Sequence, residues 1–163
     1  MALATSRAIA DDELQITRRF EAPVAVVWRM WESRDHIIRW WGPEGFTVTE
    51  FDLDFRPGGK WRSGMISDIY PKSWSNGEFI EIVPHQRIVM SFAWEQGSGE
   101  PTDTTITVTF EEREGETLQH FHQTPFDTVE DRDSHVSGWN SLFNKEAKYA
   151  AALDRGVRLD PLT

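Results

Sequence analysis

Cysteine is absent from the chain, which excludes disulfides and thiol catalysis and fits a reducing compartment. No stretch approaches the roughly 20 consecutive apolar residues of a membrane-spanning helix. The start, from Met1 to Gln15, holds no apolar segment of signal-peptide length and turns acidic at Asp11. Basic side chains are scarce: 17 Lys and Arg stand against 27 Asp and Glu, a formal net charge of −10. Such a chain repels phosphate backbones and anionic bilayers, so neither nucleic acid nor a membrane is expected as a partner. Internal repeats and low-complexity tracts are missing too. The expectation is a soluble cytoplasmic protein.

Aromatic rings, by contrast, are abundant. Eight Trp and ten Phe among 163 residues exceed what most cores of this size require. Large rings fill cores and also line apolar pockets. The length suits one domain with a real core.

Periodicity gives the elements. Leu14, Ile16, Arg18 and Phe20 alternate as a strand does. Pro23 suits the first turn of a helix, and Val24, Val27, Trp28 and Trp31 recur at helical spacing. Ser33 and Asp35 open a second short helix that Gly42-Pro43 stops. The period then falls to two. Phe46 and Val48 share one parity and Phe51, Leu53 and Phe55 the other, so a bulge or bend is expected near Glu50. Pro57-Gly58-Gly59 is a turn, and Trp61, Ser63 and Met65 begin the next strand. Residues 67–77 read as irregular. Strands follow at Glu78–Val83, at Ile88 to Trp94, around Ile106 to Phe110 and at Leu118–Thr124. A Gly-rich loop occupies Gln96–Pro101, and Glu114-Gly115-Glu116 makes a hairpin turn. Thr128 offers an N-cap to a long helix from Val129 to Arg155, about 40 Å at 1.5 Å per residue. Its apolar stripe comprises Val136, Trp139, Leu142, Phe143, Ala147, Ala150 and Leu153, and Gly156 ends it.

Strands in an antiparallel meander must bury the stripe of that final helix. A curved sheet gripping a long helix leaves room between them, closed at one end by the two short helices. That room is the expected ligand site.

Four segments in this order resemble a known family. They are Trp40-Trp41-Gly42-Pro43, the run from Asp54 to Arg62, the run from Gly77 to Pro84, and His135-Val136-Ser137-Gly138-Trp139. The family is named after the C-terminal domain of the activator of the heat-shock protein 90 ATPase. It belongs to the START-like, birch-pollen-allergen-like superfamily, also called SRPBCC. The resemblance covers roughly residues 13–154. Pro84-His85-Gln86-Arg87 departs from the Pro-x-Glu-Arg that members often carry, and the loop around Ser67–Asn76 has no counterpart. The resemblance implies an α+β helix-grip fold: a six-stranded curved antiparallel sheet with two short helices and a long C-terminal helix. It also implies a hydrophobic cavity, and it allows a stress-related chaperone role. The organisation expected is a flexible start over residues 1–12, a domain over 13–156 and a tail over 157–163.

Several constellations bear on chemistry. His120 and His122 share a strand face and, with His135, make a nominal three-His set, but the solvent face of an edge strand is the stronger reading. Asp52 and Asp54 alternate with apolar neighbours, which places them in solvent rather than in acid–base work. No Gly-x-Ser-x-Gly elbow or compact metal motif is present. No catalytic residue, metal ligand or cofactor is therefore expected, and catalysis is the less favoured reading. Gly138 is read as permitting close approach of the helix to another element. Between Glu111 and Asp133 eight acidic and two basic residues make a solvated face or a docking face for a basic partner.

The cavity lining expected from parity and the helix stripe is Trp61, Met65, Phe79, Met90, Phe92, Trp94, Phe121, Gln123, His135, Trp139 and Phe143. Gln123, His135 and Arg62 are the polar groups considered there. The expected function is to hold an apolar or aromatic small molecule without catalysis, in a monomer or homodimer. The alternative is a chaperone co-factor or other protein-interaction module.

Overall fold

The structure, a computed structural model, describes residues 10–95, 97 and 103–156. Residues 1–9 of the expected flexible start, the 157–163 tail and all but Gly97 of the Gln96–Pro101 loop lie outside the described residues. The chain runs β1 (Leu14–Phe20), α1 (Val24–Glu32), α2 (Arg34–Trp40), β2 (Thr47–Leu53), β3 (Lys60–Ile66), β4 (Ser73–Val83), β5 (Arg87–Trp94), β6 (Asp103–Arg113), β7 (Glu116–Thr124) and α3 (Val129–Asp154).

The sheet is antiparallel, in the order β1-β7-β6-β5-β4-β3-β2. It has seven strands rather than six, with three helices in all. The added strand is β1, which joins the far edge of the meander by pairing along its whole length with β7, Leu14 opposite Gln123 and Phe20 opposite Thr117. Helices α1 and α2 therefore carry the chain from one edge of the sheet to the other. β7 is thus an interior strand, not the edge expected for it.

Local chemistry explains the elements. The phase switch near Glu50 is a register shift between Val48 and Glu50 in the β2–β3 pairing. The β6–β7 hairpin turns through Glu114 and Gly115, both at positive φ, between the paired Arg113 and Glu116. Thr128 Oγ1 accepts from the Asp131 amide at 3.0 Å, the expected cap of α3. Ser33 occupies the N-cap of α2, but its side chain makes no capping bond. Pro23 stands at the N-cap of α1, and the Val24 amide is satisfied by Glu112 Oε1 of β6 at 2.8 Å.

The segment read as irregular is shorter than expected, because β4 begins at Ser73 and pairs with β3 from Met65–Ser73 to Lys60–Glu78. Its alternation is hidden because Ser75, not an apolar residue, turns inward and is buried. Gly77 is required there: a Cβ would sit 1.8 Å from Ser91 O and 2.5 Å from Trp61 Nε1. The same approach lets Trp61 Nε1 donate to Ser91 O at 3.2 Å.

The core lies between the inner sheet face and the helices. Phe51, Trp61, Phe79, Met90, Phe92, Ile106, Val108 and Phe121 come from the strands, Trp28, Met30 and Trp31 from α1, and Trp139, Leu142, Phe143 and Ala150 from α3. The closest backbone neighbours of α3 are β1, α1 and α2. The backbone of α3 therefore stands off from β3–β5.

Candidate functional site

That stand-off leaves a pocket of about 500 Å³, within the size range of small-molecule sites. One wall is the N-terminal half of α3, with Asp131, Ser134, His135, Gly138, Trp139 and Leu142. The facing wall comes from β3–β5, with Met65, Ser73, Ser75, Phe92 and Trp94. Trp41, Gly42, Pro43 and Phe46 after α2, and Tyr70 and Pro71 before β4, close the remaining sides.

Five of the expected lining residues meet at this pocket: Met65, Phe92, Trp94, His135 and Trp139. The other six, Trp61, Phe79, Met90, Phe121, Gln123 and Phe143, are buried in the surrounding core and do not reach the pocket surface. Arg62 is not there either. Its guanidinium bonds Glu95 at 2.7 and 2.9 Å and lies 3.8 Å over the Trp74 ring. Trp41, Phe46, Tyr70, Asp131 and Leu142 are wall residues that periodicity did not single out as lining. The resemblance segment Trp40-Trp41-Gly42-Pro43 was the available signal for Trp41.

The rings are fixed by polar partners behind them. Trp94 Nε1 donates to His135 Nε2 at 3.0 Å, which leaves Nδ1 of that imidazole to donate to Asp131 O at 2.8 Å. Trp139 Nε1 donates to Gln123 Oε1 at 2.7 Å. Gln123 Nε2 donates to Thr104 Oγ1 at 2.8 Å, and that hydroxyl donates to Phe92 O at 3.1 Å. Gln123 therefore serves the wall from one layer back, holding Trp139 rather than touching the space. Fully satisfied buried networks of this kind rigidify a site.

The loop wall hangs from α3. Lys145 Nζ donates to the carbonyls of Trp41, Gly42 and Phe46 at 3.2, 3.1 and 3.4 Å. Burial lowers the pKa of this ammonium, opposed by Glu44. The Glu44 amide donates to Ser141 Oγ at 2.7 Å, and Asn144 Nδ2 donates to Glu44 Oε1 at 3.1 Å. Phe46 in turn stacks on Tyr70, with an interplanar angle of 3°.

Gly138 is not explained by close packing. A Cβ there would meet only Pro43 Cγ at 3.9 Å, an ordinary contact, so the glycine leaves room in the pocket rather than relieving a clash.

A second polar cluster lies deeper. Glu146 is fully buried on α3. Its carboxyl accepts from Trp31 Nε1 and from Gln119 Nε2 at 3.2 and 3.1 Å. Burial pushes its pKa up to about 8, against the pull of Gln119, Trp31 and Arg18. The helix stripe read from sequence skipped this position, because a carboxylate is ordinarily a surface residue.

The remaining constellations stay apart. His120 Nδ1 meets Thr17 Oγ1 and His122 Nε2 meets Glu13 Oε1, while His135 faces the pocket. Among the described residues no three of His, Cys, Asp and Glu converge as a metal site would need. Asp54 pairs with Arg56 at the surface.

A family model for the activator of Hsp90 ATPase homolog 1-like protein matches residues 21–151. The chain belongs to that family. No curated protein matches it. Family-like folds recur among solved structures. A Chromobacterium violaceum protein superposes with a TM-score of 0.79 at 21% identity, over 86% of this chain and 98% of that one. The AHSA1 protein of Silicibacter pomeroyi gives 0.77 at 22%, over 86% and 99%. An Arthrobacter aurescens protein gives 0.77 at 21%, over 93% and 92%. At these identities the likeness concerns the fold, and it spans nearly the whole length of each neighbour. Among the described residues, no helix of this family member is long and apolar enough to cross a membrane.

Proposed function

We propose that this chain is a non-catalytic cytoplasmic binding protein that holds an apolar or aromatic small molecule between β3–β5 and α3. One observation carries the reading: a pocket of about 500 Å³ walled by Trp41, Phe46, Phe92, Trp94 and Trp139. The indole N–H groups of Trp94 and Trp139 are bound to protein acceptors, so these walls present apolar surface. The polar groups nearby are committed to one another, which suits holding a ligand rather than activating a nucleophile.

A native mass spectrum of freshly purified protein tests this. A retained small molecule, or saturable quenching of tryptophan fluorescence by an aromatic probe, supports it. An empty protein that no apolar or aromatic probe quenches overturns it. The same spectrum separates monomer from homodimer.

The family description and the exposed Ile69 and Tyr70 beside the pocket favour a second reading, a chaperone co-factor. Stimulation of an Hsp90-type ATPase by the purified chain, undiminished by Phe92→Ala, would replace the first reading with this one.

A further inference from the structure

We propose that the pocket takes a neutral aromatic or apolar molecule whose inner end carries a carbonyl oxygen, bound by the hydroxyls of Ser75 and Ser63. The inference rests on reading the pocket as a small-molecule site and names the class of molecule it takes.

The polar groups behind the rings are bonded to one another, and the β3–β4 side of the pocket is the exception. Of the polar side chains buried in the core, Thr104, Thr117, Gln119, Gln123 and Glu146 all bond protein partners. The other two are Ser63 and Ser75. They stand directly opposite each other on β3 and β4, in an inner row between Phe51 of β2 and Trp94 of β5. Ser75 lines the pocket. Ser63 lies behind it, 1% exposed, and its Oγ has no hydrogen-bond partner among the described residues. A buried hydroxyl left unbonded costs stability, so a position that only packs would be better served by Ala.

Directly opposed residues hold their Cβ atoms about 4.5–5.5 Å apart, so rotation about χ1 brings the two hydroxyls within hydrogen-bond distance. The direction of that bond follows from the hydrogens. With Ser63 donating to Ser75 Oγ, the Ser75 hydroxyl is free to donate into the pocket, and both hydrogens are used. In the reverse order the Ser63 hydrogen would stay buried and unpaired. The pair therefore offers the pocket a donor, and its complement is an acceptor oxygen. Among the described lining residues none is Lys or Arg. The carboxylate of the lining, Asp131, stands on the α3 side, its Oδ1 3.5 Å from His135 Nδ1. A carboxylate head set on the serines would be buried with no cation beside it, so the acceptor is neutral.

The test titrates the full chain with three probes of one shape, read by ligand-observed NMR at constant pH and ionic strength. They are acetophenone, its hydrocarbon isostere α-methylstyrene, and benzoate. Acetophenone should bind at least as tightly as α-methylstyrene, although water solvates the ketone better, and benzoate should bind weakest. Ser63→Ala and Ser75→Ala should each shift the ratio of the first two affinities about five-fold towards the hydrocarbon. Tighter binding of α-methylstyrene by the unaltered chain overturns the carbonyl inference while the small-molecule reading stands. So does a ratio that either substitution leaves unmoved. The urea midpoint of ligand-free Ser63→Ala should equal or exceed that of the unaltered chain, and a marked fall would show that the hydroxyl already serves the fold, which also overturns the inference. If none of the three probes binds, the reading of the pocket fails and the inference falls with it.

Discussion

The indole of Trp94 and the imidazole of His135 are joined at 3.0 Å, a bond that spans from β5 to the first half of α3 across the pocket rim. It sets the tautomer of the histidine and the pose of the tryptophan together. His135→Leu leaves a half-buried N–H without its acceptor and should cost about 1–3 kcal/mol. Adding Trp94→Phe should return part of that loss. Urea unfolding of the two single variants and the double variant measures the coupling directly.

Phe92 and Phe121 are both buried phenylalanines, but only Phe92 borders the pocket. Phe121→Ala removes a ring packed on Trp139 and Phe143 and should cost about 3–5 kcal/mol. Phe92→Ala should cost a similar amount, since that ring is as deeply buried and packs on Trp61, Trp94 and Trp139, but it alone should alter probe affinity. Probe binding left unchanged by Phe92→Ala would mean that the space is not a site.

Gly138 sits within α3, where glycine disfavours the helix by about 1 kcal/mol relative to alanine. Nothing but Pro43 Cγ, at 3.9 Å, approaches the position a methyl would take. Gly138→Ala should therefore raise the melting temperature while weakening binding of bulky probes. Thermal unfolding and fluorescence titration of the same sample check both halves.

Glu146 makes stability depend on pH. Its pKa rises from 4.5 in the unfolded chain to about 8 in the folded one. Between those values the folded state holds a proton that the unfolded state has released. Stability from this group is therefore full below the unfolded value and falls as pH rises, by about 1.4 kcal/mol per unit at most. Glu146→Gln should flatten this slope. Urea midpoints between pH 5 and pH 9 would show it, and a slope unchanged by the substitution would contradict it.

Much of the fold was legible because burial imposes period. Met90, Phe92 and Trp94, and Gln119, Phe121 and Gln123, take the inner face that their alternation demanded. Thr128 caps the helix that its spacing announced. The pocket was half legible for the same reason. Trp41, Phe46 and Tyr70 stand in connecting segments, where irregular backbone has no period to reveal direction. Met90 and Phe143 obey the stripe yet lie too deep, because parity gives the face of a residue and not its depth. Glu146 broke the rule that carboxylates avoid cores. The start of β4 was hidden by Ser75, a small polar residue on an inner face. The seat of β1 depends on a partner far along the chain, which no local pattern encodes.

That seat also bears on how the chain folds. Across the β1–β7 ladder Thr17 faces His120, a sequence separation of 103, whereas neighbouring strands of the meander meet through short hairpins. Closing so long a segment costs more chain entropy than closing a hairpin, and nothing returns until the ends meet. The hairpins from β3 to β7 should organise the transition state, with β1 docking on its native side. Ile16→Val in β1 should then speed unfolding and leave the refolding rate nearly unchanged, while Val108→Ala in β6 should slow refolding. Chevron plots of the two variants would place β1 early or late, and the meander would then be the scaffold on which the other edge of the sheet is laid.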